Sequence, residues 1–492
     1  MDRSQIVLAF ILGYMLLCIV VGLWAMRRTR STHDFFMAGS RLGFVVTSVA
    51  IFSSTMSGWG FVGGPGLIYT IGAGTFWMIV STGLGFCGMF FLLGKRLRLM
   101  AEVTNPISLP DVVTARYNSR STGFLTAIAI LLGVLGYLGT QILAMAMVLQ
   151  SILADVASIG LLPLSVCMAI SCAVLVFYCV TGGIIASVYT DLVQGIIMVV
   201  AALLVVAATV SSVEGGLEGM TRTILADDAE AMGPWGTRGI VGCMSWYFVF
   251  VFGLAGQPHL ITKLMMTRKP DDARVMLPMS VVGFLLTALL WIGIGLCMRT
   301  LVLQGGHAPL SEPDQASPEF LKTYAHPVLA GVVFAGLMAA IMSTADSFLN
   351  IGAAAIVHDI PRALRGRSLN NELLWARIAT VVIAAVAAGV ALASGKMVAL
   401  LGAVGWSVFS GAIVPTVAIG FNWKRATPLA CNLAIVTSLV LNVGLQVFSV
   451  TLPHLFYNGA VALLASLTVF YVVSICSAPP KLDPDIETAM DL

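Results

Sequence analysis

Residues 339–347 read Ala-Ala-Ile-Met-Ser-Thr-Ala-Asp-Ser, an oxygen-rich stripe inside an otherwise apolar stretch. Steps of three and four residues share a helix face, so Ser343, Asp346 and Ser347 line one side, with Thr344 at its edge. Hydroxyls and a carboxylate together form the donor set of a small hard cation, which takes oxygen ligands. No soft ligand accompanies them, which argues against a transition metal. The same hydroxyls have a bland alternative use, bonding back to the preceding turn of their own helix. A second isolated acid, Asp191, follows Tyr189 and Thr190 at the start of another apolar run. It reads either as a helix-start carboxylate or as an acid that faces a cavity and holds a partner. An acid at the centre of a membrane helix costs about 2.5–3.5 kcal/mol, so it normally faces a cavity and holds a partner.

Two segments interrupt the helices that would carry such groups. The first runs Ser53-Ser54-Thr55-Met56-Ser57-Gly58-Trp59-Gly60 and on through Gly63-Gly64-Pro65-Gly66. Gly is permissive and Pro lacks an N–H, so this segment resists a regular helix. Carbonyls released within a bilayer must be satisfied by protein, water or an ion. A kink lined by small residues for close packing is one outcome; a discontinuous helix whose carbonyls coordinate a cation is the other. The second segment is Phe252-Gly253-Leu254-Ala255-Gly256-Gln257-Pro258-His259, five spans later and running in the opposite direction. That placement is the pattern of an inverted repeat with a binding site between the broken helices.

The elements that must position these groups follow from composition. Of 492 residues, 59% are apolar and only 10% are charged. A soluble core cannot hide that much apolar surface, and disorder needs the opposite balance. The net charge of +3 is too small to imply a nucleic-acid partner. Nine cysteines lie singly in apolar runs without a CxxC pair, and read as buried thiols. A bilayer core needs about 20 apolar residues per helix, and that ruler finds thirteen stretches, among them 44–70, 75–94, 160–180 and 188–211. With the first helix exiting inward at Arg27, Arg28 and Arg30, twenty of the 26 Lys and Arg, Lys263 among them, fall on the cytoplasmic side. The other six are Arg3, Arg222, Arg238, Arg299, Lys322 and Lys396. This asymmetry predicts an N-terminus outside and a C-terminus in the cytoplasm, in a cell membrane of the bacterial inner-membrane kind. Of 23 acids, 21 then fall in loops, at helix ends or in tails, the exceptions being Asp191 and Asp346. No phosphate-binding loop or zinc-protease motif occurs, and no acid, base and nucleophile constellation suggests an enzyme. Uphill work would draw on an ion gradient rather than an ATPase subunit.

At these residues the chain resembles the sodium/solute symporter family, closest to its sodium/proline permease-like members. The carrying motifs are Met56-Ser57-Gly58-Trp59 with Gly64-Pro65-Gly66; Ser108-Leu109-Pro110-Asp111 with Arg116; Thr181-Gly182-Gly183 followed by Thr190-Asp191; Gly256-Gln257-Pro258-His259; and Met342-Ser343-Thr344. The resemblance implies an all-α integral membrane protein of the LeuT-like kind with discontinuous helices. One transport domain would span residues 1–492. Its ten-helix core would comprise two inverted five-helix repeats, about 44–211 and 239–421, with one helix before and two after. It also implies a sodium site made by the backbone carbonyls of Ser53, Met56 and Ala340 and the hydroxyls of Ser343 and Thr344. A second cation site, present in some members, would fall at Asp191, Ser343, Asp346 and Ser347. Thr55 stands where proline permeases carry an acid, and Phe250 and Leu254 where they place a tryptophan and a tyrosine, which separates the expected solute from proline.

Residues placed to face a solute are Thr55, Trp59, Tyr137, Gln141, Trp246, Phe250 and Gln257; membrane aromatics also serve as packing or interfacial anchors. The expected function is secondary active transport: sodium-coupled symport of a small organic solute, an amino acid or carboxylate, into the cell. Sodium is the coupling ion, no organic cofactor is needed, and the lipid bilayer is the surroundings. Proton coupling through Asp346 is the alternative on the same fold; a channel or sensor on this scaffold is another, though the tail after Ser477 is short for a signalling domain.

Overall fold

The computed structural model describes residues 3–27, 31–40, 42–154, 162–394 and 398–491. Among them the chain is all-helical; the sole β-type pairing is an isolated bridge between Leu42 and Thr267. Among the described residues, eleven helices are long and apolar enough to cross a membrane, against the thirteen stretches expected. The difference has a local cause in each case. Residues 44–104 form one 61-residue helical run that holds two of the expected spans and folds back at the turn Gly72–Thr75. The expected span 160–180 is carried by the shorter apolar helix Leu164–Phe177, and residues 155–161 lie outside the described part.

The elements used below are α1 (Arg3–Met26), α2 (Phe44–Gly58), α3 (Gly64–Ile71), α4 (Phe76–Met89), α5 (Arg120–Ala154) and α6 (Leu164–Ser211). They continue with α7 (Gly239–Gly253), α8 (Pro258–Met265), α9 (Ala273–Leu303), α10 (Pro327–Ala354), α11 (Glu372–Ser394), α12 (Val398–Ile413), α13 (Pro428–Val447) and α14 (Asn458–Cys476). Both interrupted segments are broken where the sequence predicts. In α2 the helix ends at Ser57 (φ 45°, ψ 177°), passes through a wide turn at Trp59–Gly63 and resumes as α3, with Pro65 in its first turn, where a missing N–H costs nothing. Between α7 and α8 a tight turn, Leu254–Gly256, leads to an extended Gln257 (φ −80°, ψ 105°), and Pro258 opens α8. A third break replaces the expected loop around residues 181–187: α6 runs on through it, bent at Gly183, whose φ of +56° only glycine adopts cheaply.

Burial sorts the helices. In the apolar window of α10, 83% of residues are buried, against 28% for α1. The apolar window of α12 reaches 89%, so α10 and α12 are central and α1 is peripheral. Exposed side chains on the outer helices are large and apolar, such as Leu12, Leu16 and Val20 on α1 and Val381, Val382 and Val386 on α11. In water such a surface would aggregate; in hydrocarbon it is neutral, and helix association rests on packing and internal hydrogen bonds. The nine cysteines are free thiols, but Cys87 and Cys476 are exposed, so the expectation that all are buried fails there. Lys263 is the larger correction. It does not sit in a loop but in α8, fully buried.

The Ser108-Leu109-Pro110-Asp111 motif starts the helix Leu109–Tyr117, with Ser108 capping it by accepting the Asp111 N–H at 3.3 Å. Asp111 then accepts from Arg362 Nη1 at 2.8 Å and pairs with His358 Nε2 at 3.0 Å, while His358 Nδ1 lies 3.0 Å from Glu372. Ser108 Oγ donates to Asp359. This network ties that short helix to the end of α10 and the start of α11.

Candidate functional site

The break in α2 is held by its neighbours rather than left open. A non-glycine residue at φ 45° is strained and persists only where surroundings enforce it. Here Ser57 Oγ accepts the Trp59 N–H at 3.2 Å and lies 3.4 Å from the Tyr137 hydroxyl. The Gly58 N–H donates to Gln141 Oε1 at 2.8 Å. A Cβ on Gly58 would stand 2.8 Å from both Ala144 Cβ and Ile341 Cγ1, so only glycine lets α2, α5 and α10 meet this closely.

The hydroxyl stripe of α10 faces this break. Thr344 Oγ1 donates to the Ser54 carbonyl at 2.9 Å and reaches the Ala340 carbonyl at 3.2 Å. Ser343 Oγ donates to Ala340 O at 3.0 Å, and Ser54 Oγ donates across to Ser343 O at 3.3 Å. Ala340, Ser343 and Thr344 are therefore gathered at one turn of α10, and all are buried. On α2 the hydrogen bonds that join the two helices run through Ser54, between the expected Ser53 and Met56. Ser53 Oγ bonds back to Ala50 O at 3.2 Å, and Met56 O accepts the Trp59 N–H across the break. Ser54 was missed in sequence because three hydroxyls, Ser53-Ser54-Thr55, stand in a row and only the packing selects among them.

Three of the four residues expected at the second cation site are joined by hydrogen bonds along α10, and the fourth, Asp191, is paired with a lysine. Ser347 Oγ donates to Ser343 O at 3.0 Å and to Asp346 Oδ1 at 3.4 Å, so these three share the stripe. Asp346 Oδ1 also accepts from Ser187 Oγ at 2.8 Å, a contact from α6 that no motif flagged. Asp191 Oδ2 lies 2.9 Å from Lys263 Nζ, which also meets Ser54 beside the stripe.

Most of the residues expected to face a solute form one aromatic and amide cluster at the two breaks. Trp59 stacks on Phe250 with ring centroids 5.7 Å apart and meets Trp291 edge-on at 4.9 Å. Trp406 from α12 lies 5.1 Å from Phe250 and 6.4 Å from Tyr137. Gln257 Nε2 donates to Gly253 O at 3.0 Å and reaches Trp406 O and Ser410 Oγ at 3.4 Å. Several buried polar atoms here have no protein partner among the described residues: Gln141 Nε2, Gln257 Oε1, Trp291 Nε1 and Trp406 Nε1. Burying such groups unpaired is unfavourable, and they are the atoms a bound polar molecule would satisfy. Two expected members stand apart. Thr55 Oγ1 turns back to Ile51 O at 2.9 Å. Trp246, one turn from Phe250, carries the Arg238 guanidinium on its face at 3.6 Å instead of another ring of the cluster. Trp291 and Trp406 were missed because a lone tryptophan in an apolar span looks like packing.

The comparisons agree with this architecture. The description "Sodium:solute symporter family" matches residues 35–431. The osmoregulated proline transporter OpuE of Bacillus subtilis is 26% identical over 417 residues, covering 84% of this chain and 83% of that protein. A sodium/proline symporter of Staphylococcus aureus is 23% identical over 499 residues, with 97% and 94% covered. Among solved structures, a substrate-bound, outward-open Na+-coupled sialic acid symporter superimposes with a TM-score of 0.78 at 19% identity, covering 98% of this chain and all of that one. Mhp1, a nucleobase-cation-symport-1 family transporter in a closed conformation, gives 0.57 at 13% identity over 93% of this chain and 98% of its own. The first of these shares the discontinuous-helix fold over almost the whole length. With the family description covering far more than half the sequence, this chain belongs to the sodium:solute symporter family.

Proposed function

We propose that this protein moves a small organic solute, an amino acid or small carboxylate, into the cell together with sodium bound between the α2 break and α10. Sodium-coupled symport of a small solute follows from family membership; the direction, the ion's ligands and the solute class are the proposal. The observation that carries it is the Thr344–Ser54 contact, which brings hydroxyls of one helix onto carbonyls of a broken one. Sodium there would be held by oxygens of Ser53, Met56, Ala340, Ser343 and Thr344, with Ser54 adjacent. Linking two separate elements, the ion favours the state in which both breaks are aligned, and the solute then binds that state. One charge crossing 100 mV releases about 2.3 kcal/mol. A tenfold sodium gradient adds about 1.4 kcal/mol, and for a solute without net charge, such as a zwitterionic amino acid, the sum sustains a several-hundredfold gradient at one-to-one coupling.

The solute would lie against Trp59, Phe250 and Trp406. Three of the unpaired groups there are N–H donors, which suit a carboxylate, and Gln257 Oε1 is an acceptor, which suits an ammonium. Proline is the first solute to test, because relatives bear its name, although Thr55, Phe250 and Leu254 differ from the proline-permease pattern. The basic loops would face the cytoplasm, with the N-terminus outside, in a bacterial inner membrane. Residues 44–211 and 239–421 would be the two inverted repeats, since each opens on a broken helix.

The test is uptake into proteoliposomes with a panel of labelled amino acids and short carboxylates, with and without an imposed sodium gradient. Thr344→Ala should raise the sodium concentration for half-maximal uptake at least tenfold, about the effect of losing one oxygen ligand worth 1.4 kcal/mol. An unchanged sodium requirement removes the site. Uptake that ignores sodium and collapses with the pH gradient would transfer the coupling to protons and Asp346.

A further inference from the structure

Lys263 is 1% exposed and its partner Asp191 is fully buried. The ammonium has three N–H donors, and each has an oxygen: Asp191 Oδ2 at 2.9 Å, the Ala50 carbonyl at 3.0 Å and Ser54 Oγ at 2.5 Å. These come from α6 and from the turn of α2 just before the break, so Nζ sits where a small cation bridging the two elements would sit. This place adjoins the proposed sodium site: Ser54 contacts Lys263 on one side and Ser343 and Thr344 of α10 on the other. Asp191 Oδ1 has no partner among the described residues although wholly buried. Without Lys263, this place would offer two carboxylate oxygens, a carbonyl and a hydroxyl, a ligand set for a hard cation.

We infer that the Lys263 ammonium is a tethered cation that occupies the place of a second coupling ion at Asp191, so that this chain takes up one free sodium ion per cycle. The inference rests on the proposed sodium site between α2 and α10 and adds what sets the ion count. The Asp191–Lys263 pair is neutral, so it gives a second free cation no net attraction, and the ammonium already engages three of the four oxygens there. Because Lys263 lies in the second turn of α8, right after the Gln257-Pro258 break, the tether connects one broken helix to the other. A diffusible ion would join and leave with each cycle. This one stays, holding α8 against α2 and α6 throughout.

The experiment counts sodium ions bound to purified full-length protein with radioactive sodium, and follows the same titration by tryptophan fluorescence, since Trp59, Trp291 and Trp406 flank the breaks. The unsubstituted protein should bind one ion per chain with a Hill coefficient near one. Lys263→Met, which keeps the length of the side chain and drops its charge, should bind two, with the Hill coefficient rising toward two. Lys263→Met combined with Asp191→Asn should return to one. Two ions on the unsubstituted protein, or one ion on a folded Lys263→Met, overturns the inference. Should Lys263→Met alone fail to fold, because it leaves Asp191 buried and unpaired, the count on the unsubstituted protein still decides. No ion bound at all removes the sodium site itself and this inference with it, a result distinct from binding two.

Discussion

At the scale of single residues, Ser343, Asp346 and Ser347 share one helix face as their spacing foretold, whereas Thr55 and Trp246 stand apart from the aromatic cluster. A three- and four-residue step fixes which side chains share a helix face, so the α10 stripe follows from the local sequence. Nothing local says which residue of a facing helix it meets, and Ser54 emerges only when α2 and α10 are packed together. The same holds for Gln257. Its type and place after a break marked it, but besides the local bond to Gly253 O it reaches Trp406 and Ser410 on a helix 149 and 153 residues away. Removing its amide should weaken solute and spare sodium. Gln257→Leu is expected to raise the solute concentration for half-maximal uptake about tenfold, near the 1.4 kcal/mol of a buried hydrogen bond, while the sodium requirement changes less than twofold. Equal shifts in both would place Gln257 with the ion instead.

At the scale of elements, each break is written in glycine and proline, and each is stabilised by groups from elsewhere. Pro258 announces its break because backbone geometry admits few other residues there, whereas the bend at Gly183 stands where a loop was expected. The strained Ser57 does not announce itself, since Tyr137 and Gln141 of α5 sustain it. Element ends behave alike. Asp314, in the short turn Pro313–Gln315, accepts the first N–H of α12 from Val398 at 2.7 Å, and burial pushes its carboxyl up to about 6. A carboxyl raised in the folded state binds its proton more tightly there than in the unfolded chain. It therefore favours folding fully below its ordinary value of 3.8, and that contribution is lost as pH rises through about 6. Asp314→Asn should remove this dependence. Thermal unfolding in detergent across that pH range should show a steeper decline with rising pH for the unsubstituted protein than for the variant. Parallel curves would mean Asp314 is not buried as described.

At the scale of the whole molecule, the inside-out distribution of residues is the dominant fact. Apolar side chains such as Leu16 and Val386 face outward, and polar ones such as Thr344, Gln141 and Asp191 are buried. The orientation proposed from the Lys and Arg count has a direct check. Cys476 is an exposed thiol at the end of α14, beside Arg425, which donates to the Ile475 carbonyl at 2.7 Å. In a protein keeping only that cysteine, a membrane-impermeant maleimide should label it from the cytoplasmic side and not from outside intact cells. Labelling of intact cells would invert the proposed topology. Lys263 marks where counting charges along a sequence fails. A lysine seven residues past a break looks like a loop residue, and only the fold reveals the acid 72 positions away that holds it inside.

What the sequence by itself determined was membrane residence, helical class, two of the three places where helices break and the face on which α10 carries its hydroxyls. These follow from composition, from the length of apolar runs and from backbone chemistry at glycine and proline, all of which act over a few residues. The tertiary structure decided which oxygens meet, which tryptophans surround them and which acid is claimed by a lysine. Those outcomes depend on contacts between helices far apart in the chain, where packing selects among side chains of the same chemical type, as it selects Ser54 from Ser53-Ser54-Thr55.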